Sequence, residues 1–206
     1  MFDVATFSES SGARGQDRID IVEHPSGRVV ILADGAGGTS GGAEAADTVL
    51  LWVKSYLTRG ADIREASQWG ELLSKIDRQV SFVNGQTTAV IVAVFDDGVA
   101  GASVGDSAAW LVDDRSGYVE LTANQIRKPL LGTGAARPVI FEHAGATGTL
   151  LVASDGLGNY AHPDRICEFA READLRLAAR RLADLVRLKS GSLQDDIAIA
   201  LCRKDC

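Results

Sequence analysis

The sequence predicts an α+β fold in which two antiparallel β-sheets pack face to face with helices on the outside, an α-β-β-α sandwich. β-rich runs occur in blocks that alternate with helical blocks along the 206 residues. Short turns such as Asp96-Asp97-Gly98 separate runs within a block, which is typical of antiparallel hairpins and not of a parallel sheet. A chain of this length can bury a core without disulfides, so we expect one domain over 1–206.

The first half of the chain is predicted to hold three strands and then two helices. Alternating or continuous apolar residues predict strands over 2–7, 18–23 and 29–33. The segment 8–16 is polar and contains glycine, which indicates a loop. Thr39 or Ser40 can cap a helix over 42–58, and apolar residues at helical spacing predict a second helix over 63–83.

The second half is predicted to form a meander, a hairpin, two helices and a final strand. The meander strands are predicted over 87–95, 99–104, 108–112 and 118–121. Another strand pair, 138–143 with 149–154, is joined by a glycine-rich turn. Apolar periodicity predicts helices over 163–170 and 173–188, and the last strand is predicted over 197–201.

Composition and charge exclude several classes of partner. A net charge of −7 and a pI near 5.0 argue against nucleic acid and anionic membrane surfaces, which attract basic proteins. No apolar run approaches the roughly 18 residues of a membrane span, and MFDVATFSES lacks the pattern of a secretion signal. We therefore expect a cytoplasmic protein in which Cys167, Cys202 and Cys206 are reduced.

Three strand ends that are far apart in sequence carry aspartates. Asp34 ends the run 29–33, Asp155 follows 150–154, and Asp195 precedes 197–201. Taken alone, Asp34 also fits a plain Asp-Gly turn. Three gathered carboxylates would repel one another by about 4 kcal/mol per pair at about 4 Å with an effective dielectric of about 20. They should therefore meet only around hard cations, which indicates Mg²⁺ or Mn²⁺.

Five motifs, in order along the chain, resemble those of the metal-dependent protein phosphatases, the type 2C serine/threonine class. They are LADGAGG (32–38), QTTAVIVAV (86–94), SVGDSAAWL (103–111), LLVASDGL (150–157) and DDIAIALCR (195–203). The resemblance covers nearly the whole chain and implies the two-sheet fold predicted above. The interval from Asp106 to Asp155 is short, so the chain resembles a compact bacterial-like form whose flap is reduced to about 124–137.

The resemblance also implies a ligand set for two bridged metal ions, Mn²⁺ or Mg²⁺. Asp34 would bridge both ions, and the carbonyl of Gly35 would bind the second. Asp155 and Asp195 would hold the first ion, with Asp196 as the alternative to Asp195. A hydroxide that bridges the ions would attack phosphorus in line, while the ions stabilise the developing charge.

Three further roles follow from the same resemblance. Asp17 would lie near the second metal and form the catalytic pair with Asp34. Arg14 is the candidate for phosphate binding, with a solvated loop charge as its alternative. Asp106 corresponds to an acid linked to a third, weaker ion, with a turn carboxylate as its alternative. The implied function is a monomeric protein serine/threonine phosphatase in signal transduction, acting on phosphoserine and phosphothreonine proteins.

Two other functions compete with this interpretation. Gly101-Ala102-Ser103-Val104-Gly105 matches the nucleophile elbow of serine hydrolases, but that elbow needs a following helix where 108–112 is predicted to be extended. The second alternative is a non-catalytic binding module of the phosphatase fold. Such modules normally lose the metal-binding acids, whereas this chain retains Asp17, Asp34, Asp155 and Asp195.

Overall fold

Stacked β-sheets with helices on both outer faces form the protein, as the computed structural model shows for residues 1–13, 15–36, 41–115, 117–145 and 147–204. In these ranges the strands are β1 (Phe2–Glu9), β2 (Arg18–His24), β3 (Gly27–Ala33), β4 (Gly35–Ala36), β5 (Gln86–Thr87), β6 (Ala89–Phe95), β7 (Gly98–Val104), β8 (Ala108–Val112), β9 (Tyr118–Glu120), β10 (Val139–Ala144), β11 (Thr149–Ala153) and β12 (Ile197–Lys204). The helices are α1 (Gly42–Leu57), α2 (Ala66–Val80), α3 (Asp155–Gly158), α4 (Pro163–Ala170) and α5 (Leu175–Leu185), and a 3-10 turn follows α2 at Ser81–Val83.

Each main sheet has five strands among the described residues. The order is β1-β12-β11-β8-β9 in the first sheet and β10-β7-β6-β3-β2 in the second. Every neighbouring pair is antiparallel, and β4 and β5 form a separate short ladder. The predicted α+β sandwich of two antiparallel sheets is confirmed. The predicted pairing of 138–143 with 149–154 is wrong, because β10 pairs with β7 in the second sheet whereas β11 pairs with β8 and β12 in the first. The predicted meander is likewise divided, since β6 and β7 belong to the second sheet and β8 and β9 to the first.

The two faces of β3 are both buried, and they pack against different layers. Val29 and Ile31 belong to the core beneath α1 and α2, whereas Val30 and Leu32 belong to the core between the sheets. Helices α4 and α5 cover the first sheet through a third core. A strand buried on both faces needs an apolar residue at every position, which explains the continuous run. Polar chemistry is therefore confined to strand ends and loops.

Helix α2 is shorter than predicted, because it begins at Ala66 and ends at Val80. Ile63 is fully buried in the same core although it precedes the helix. Its carbonyl oxygen accepts a hydrogen bond from Nε1 of Trp69 at 3.1 Å. The apolar periodicity therefore predicts the buried residues correctly, but the predicted helix is about one turn too long at each end.

Helix α5 is also shorter than the predicted 173–188, since it starts after the N-cap Asp174 and ends at Leu185. The Asp174 carboxylate accepts hydrogen bonds from the N–H groups of Arg176 at 2.8 Å and Leu177 at 3.2 Å. Such an N-cap satisfies backbone donors that have no partner within the helix.

Helix α1 begins after Gly41, and the predicted caps Thr39 and Ser40 lie outside the described residues. Gly41 has φ 129°, and a methyl group there would lie 2.7 Å from the carbonyl oxygen of Asn84. Both features require glycine. Across the described ranges, no helix combines the length and the hydropathy that crossing a bilayer requires.

Candidate active site

Strand ends and loops surround a cavity of about 1210 Å³, which we call the acid cavity. Four aspartates line it: Asp34 after β3, Asp106 between β7 and β8, Asp155 at the start of α3, and Asp195 before β12. The fold thus brings together acids that the sequence places far apart.

The main chain of Asp34 is fixed by two buried threonines. Its N–H donates to Oγ1 of Thr88 at 3.0 Å. Its carbonyl oxygen accepts from the Thr88 N–H and from Oγ1 of Thr87, both at 2.8 Å. The Thr88 hydroxyl also lies 2.7 Å from Oγ of Ser107, which follows Asp106. These contacts connect the strand end that carries Asp34 to the turn that carries Asp106.

Gly35 lies in the wall of the acid cavity, where the start of α1 approaches it closely. Its N–H donates to the carbonyl oxygen of Gln16 at 3.3 Å. A Cβ at this position would lie 2.4 Å from the carbonyl oxygen of Gly42, so the position requires glycine. Gly37, Gly38 and the predicted phosphate-binding Arg14 lie outside the described residues.

Asp17 is buried at the start of β2, with 7% of its surface exposed. Its Oδ2 atom is buried and has no hydrogen-bond partner among the described residues. Burial raises the pKa of Asp17 to about 6, and the charges of Asp196 and Asp155 also raise it, against hydrogen bonds with Ser154 and Asp34. A buried carboxylate oxygen without a donor is costly unless a cation approaches it.

Asp34 is more strongly perturbed than Asp17. Burial raises the pKa of Asp34 to about 9, and the neighbouring charges of Asp17 and Asp155 add to the effect. The pKa of Asp155 is raised as well, first by burial and then by the charges of Asp195 and Asp106. Ionising one of these acids therefore penalises the others, and a positive charge among them would lower all three pKa values.

Asp195 and Asp196 face different surroundings, although they are adjacent. Asp195 is exposed and lines the acid cavity. Asp196 instead accepts hydrogen bonds from the N–H of Gln16 at 2.7 Å and of Ser11 at 2.8 Å, and from the Ser10 hydroxyl at 3.0 Å. Burial acts to raise the pKa of Asp196, but these hydrogen bonds lower it below its usual value. Asp196 thus holds the loop before β2, and Asp195 is the acid that faces the cavity.

Ser154 contacts a buried acid, although the sequence predicts no such role for it. Its hydroxyl accepts a hydrogen bond from the Ala198 N–H at 2.9 Å and contacts Asp17. Its own N–H donates to the Ala198 carbonyl oxygen at 3.0 Å. The sequence feature that could have indicated this role is a small polar residue directly after a buried apolar run. Thr88 is a similar residue, directly before the buried apolar run of β6.

The segment predicted as a reduced flap carries the cations of the acid cavity. Arg127 and Lys128 line it, and no other described residue of its wall is a lysine or arginine. Nε of Arg127 lies 3.7 Å from Oδ2 of Asp106. The Arg127 side chain is 71% exposed, so this ion pair is weak and easily exchanged. The sequence motifs assign no role to Arg127 or Lys128.

The donor set of the acid cavity fits a hard divalent cation. All of its candidate ligand atoms are oxygens, as Mg²⁺ and Mn²⁺ prefer, and the orphaned Oδ2 of Asp17 adds an unsatisfied acceptor. Within the described ranges, however, no three His, Cys, Asp or Glu side chains converge closely enough to form a finished ion site. The acids are thus near enough to perturb one another electrostatically without forming a complete coordination shell.

Ser103 has the wrong surroundings for a hydrolase nucleophile. It lies within β7, paired with Val139 on one side and Val90 on the other. Its side chain is fully buried, and within the described ranges its hydroxyl has no hydrogen-bond partner. An elbow would expose the hydroxyl on a sharp turn before a helix, so the serine hydrolase alternative is wrong.

A family model described as protein phosphatase 2C matches residues 6–190. The chain therefore belongs to the protein phosphatase 2C family, as the motifs predicted. The predicted enzyme class, a protein phosphatase, is confirmed with it. A comparison with curated protein sequences found no match.

Solved structures show the same fold at low sequence identity. The serine/threonine phosphatase Stp1 from Staphylococcus aureus is 20% identical, with a TM-score of 0.85 over 100% of this chain and 96% of that one. The S. agalactiae serine/threonine phosphatase is 22% identical, with a TM-score of 0.85 over 100% of both chains. The catalytic domain of the serine threonine protein phosphatase PstP, in complex with 2 manganese ions, is 18% identical, with a TM-score of 0.79 over 98% of this chain and 97% of that one.

Proposed function

We propose that the chain is a Mg²⁺- or Mn²⁺-dependent phosphatase that hydrolyses phosphoserine and phosphothreonine in proteins. The observation that carries this proposal is that burial, together with the charges of neighbouring acids, raises the pKa values of Asp17, Asp34 and Asp155, an effect that a divalent cation would oppose. Membership of the protein phosphatase 2C family supports the reaction class.

The proposed ligands of two tightly held ions are Asp17, Asp34, the Gly35 carbonyl, Asp155 and Asp195. When bound, such ions supply an activated water and offset negative charge on the phosphoryl oxygens. The chain's own contribution is to hold carboxylates in place in a partly dry environment. Asp106 is the proposed ligand of a third, weaker ion.

Arg127 and Lys128 are the proposed contacts for the substrate phosphate. A guanidinium matches phosphate oxygens in a bidentate manner, and an ammonium adds a point charge. Arg127 can exchange its 3.7 Å pairing with Asp106 for a phosphate oxygen, because its side chain is mostly exposed. Arg14 remains the second candidate for this role. The monomeric state, the cytoplasmic location and a role in signalling also remain predictions.

Hydrolysis of a phosphothreonine peptide with and without Mn²⁺ tests the proposed function. We expect release of inorganic phosphate with Mn²⁺ or Mg²⁺, and none in excess EDTA once residual metal has been measured as negligible. Full activity in EDTA would contradict the mechanism. A folded, metal-loaded protein that binds the phosphopeptide without hydrolysing it would instead support the non-catalytic module.

A further inference from the structure

A second cavity of about 400 Å³ adjoins the acid cavity, and we call it the side cavity. Asp106 and Arg127 line both cavities. Helix α3 borders both as well, because Asp155 at its start lines the acid cavity and Gly158 at its end lines the side cavity. We propose that the side cavity binds an arginine or lysine side chain of the phosphopeptide substrate. This inference rests on the proposed function.

Two aromatic rings and a carboxylate face the side cavity from one sheet surface. Trp110 on β8 pairs directly with Glu120 on β9, and Tyr118 lies two residues before Glu120. Residues that pair directly, or that lie two apart on a strand, share a face, so all three side chains point the same way. The Trp110 ring lies against α3, where its Cη2 atom is 3.9 Å from the position a Cβ of Gly158 would take.

The charge of the side cavity favours a cation. Its wall carries two carboxylates, Asp106 and Glu120, against one guanidinium, Arg127. Arg127 already pairs with Asp106. The Glu120 side chain is exposed and makes no hydrogen bond or ion pair with the described residues. An incoming phosphate would be repelled by Glu120, whereas an ammonium or guanidinium would find an unpaired partner.

The faces of the two aromatic rings in the side cavity carry no cation from the described residues. Elsewhere in the molecule arginines stack on rings: the guanidinium of Arg64 lies 4.5 Å from the ring centre of Phe95, and that of Arg165 lies 5.2 Å from Phe169. In the described part of the chain, no such cation lies over Trp110 or Tyr118. Their faces can therefore accept one from a ligand.

The floor of the side cavity suits the aliphatic part of a long basic side chain. Pro163 and Ile166 of α4 line it together with Cys167. Burial raises the pKa of Cys167, so its thiol stays neutral and this part of the floor stays apolar. Arginine and lysine bury their methylene groups on apolar surface while the charged end seeks a polar partner. This combination of apolar floor, aromatic rings and carboxylate would favour them over glutamate or alanine.

A peptide library tests the proposal against a small substrate that cannot reach the side cavity. The probes are alanine-rich phosphothreonine peptides in which arginine, norleucine or glutamate replaces alanine at one position between −4 and +4. The small substrate is p-nitrophenyl phosphate. We expect arginine at one or two positions to raise kcat/KM about three- to tenfold over alanine, with the gain shrinking at high salt.

Two substitutions on the exposed rim separate this site from a general charge effect. Glu120→Gln removes the carboxylate, and Tyr118→Leu removes the ring but keeps an apolar side chain. Glu142→Gln, at another exposed glutamate on a strand of the second sheet, is the matched control. We expect the first two to abolish most of the arginine preference. The control should leave it unchanged, and all three should hydrolyse p-nitrophenyl phosphate at the wild-type rate.

Binding provides a readout that does not depend on turnover. Calorimetry with a non-hydrolysable phosphonate version of the best arginine peptide should show the same preference over alanine and the same loss in Glu120→Gln. Equal kcat/KM and equal Kd for arginine and alanine peptides, or a preference for norleucine, would overturn the proposal while hydrolysis itself persists. Arginine-selective binding without any hydrolysis would instead contradict the proposed function and retain the side cavity.

Discussion

Asp77 on α2 accepts a hydrogen bond from the N–H of Gly132 at 2.7 Å. The same buried carboxylate accepts two more, from the N–H groups of Gly134 and Ala136, both at 3.0 Å. The segment held in this way directly follows Leu131, whose N–H and carbonyl oxygen pair with Thr87 at 3.1 and 3.2 Å. Asp77 thereby holds the end of the loop that carries Arg127 and Lys128, the basic residues of the acid cavity.

Asp77→Ala should lower both stability and activity, because it leaves three backbone donors without their acceptor. We expect a loss of about 3 kcal/mol in the free energy of unfolding, measured by urea denaturation. KM for phosphopeptide should rise as Arg127 and Lys128 lose their placement. Glu71→Gln, on an exposed position of the same helix, is the control and should change neither quantity. A stable Asp77→Ala protein with wild-type KM would show that the loop is held by other contacts.

Asp34→Asn should abolish activity and yet stabilise the metal-free protein. Burial raises the pKa of Asp34 to about 9, against an ordinary value of 3.8. The neutral form is therefore favoured by folding, and this contribution to stability is lost as pH rises from about 4 to about 9. In EDTA, the Tm of the wild type should decrease as pH rises over that range. The Tm of Asp34→Asn should decrease much less over the same range.

Activity of Asp34→Asn should drop by roughly 100-fold or more, measured with phosphopeptide and saturating Mn²⁺. Asp114→Asn is the control for both measurements, because Asp114 is exposed and does not line the acid cavity. Added Mn²⁺ should stabilise the wild type more at high pH than at low pH, because binding requires the ionised carboxylates. An Asn protein whose Tm follows pH as steeply as the wild type would contradict the assignment of this pKa.

Asp195→Asn and Asp196→Ala should have opposite signatures. Asp195 lines the acid cavity, so its loss should weaken Mn²⁺ binding with little effect on the metal-free Tm. Asp196 holds Gln16 and Ser11, so its loss should cost about 2 kcal/mol of stability. Calorimetric Mn²⁺ titration and thermal unfolding of both variants would separate them. Tight Mn²⁺ binding by Asp195→Asn would move the ligand role to Asp196.

Ser103→Ala should keep full activity and gain up to about 1 kcal/mol in the free energy of unfolding. The Ser103 hydroxyl is buried and finds no partner in the part of the chain that the structure describes, and removing such a group relieves its desolvation penalty. Phosphopeptide turnover and urea denaturation measure the two effects. A folded, metal-loaded Ser103→Ala protein without activity would contradict this expectation.

Asp106→Ala should lower turnover but keep two tightly bound ions. Its proposed role is at a weak outer ion, which retains several waters because the protein supplies few oxygen ligands. The wild-type rate should keep rising with Mn²⁺ after the tight pair has filled, and the variant should lose this second rise. Loss of a tight site in calorimetry, or an unchanged dependence of rate on Mn²⁺, would show that Asp106 has another role.

The apolar runs and their motifs were sufficient to predict the sandwich and to gather the acids. Val29 to Ala33 is continuous because β3 is buried on both faces, and Asp34 directly follows it at the strand end. The antiparallel pairing of β11 with β12 then places Asp155 and Asp195 at the same edge. The strand-end positions of these acids are therefore predictable from sequence, but the strand pairing is not, because the turn pattern predicts 138–143 as the partner of 149–154 whereas β11 pairs with β8 and β12.

The supporting contacts could not be predicted, because they depend on side-chain geometry across the fold. Asp77 looks like a solvated helix residue until α2 is packed beside 132–136. Arg127 lies in a loop without periodicity, so nothing in the sequence places it against Asp106. The choice between Asp195 and Asp196 likewise depends on where the loop before β2 runs.

The acids of the site are divided between the two layers of the sandwich. Asp17 and Asp34 adjoin strands of the second sheet, whereas Asp155 and Asp195 adjoin strands of the first. A cation bound by both pairs of acids would link the two sheets to each other. A shift of one sheet relative to the other would then change the distances between the two pairs of acids. A substitution in the core between the sheets, such as Val152→Ala, should therefore change the affinity for the ion although Val152 does not line the acid cavity.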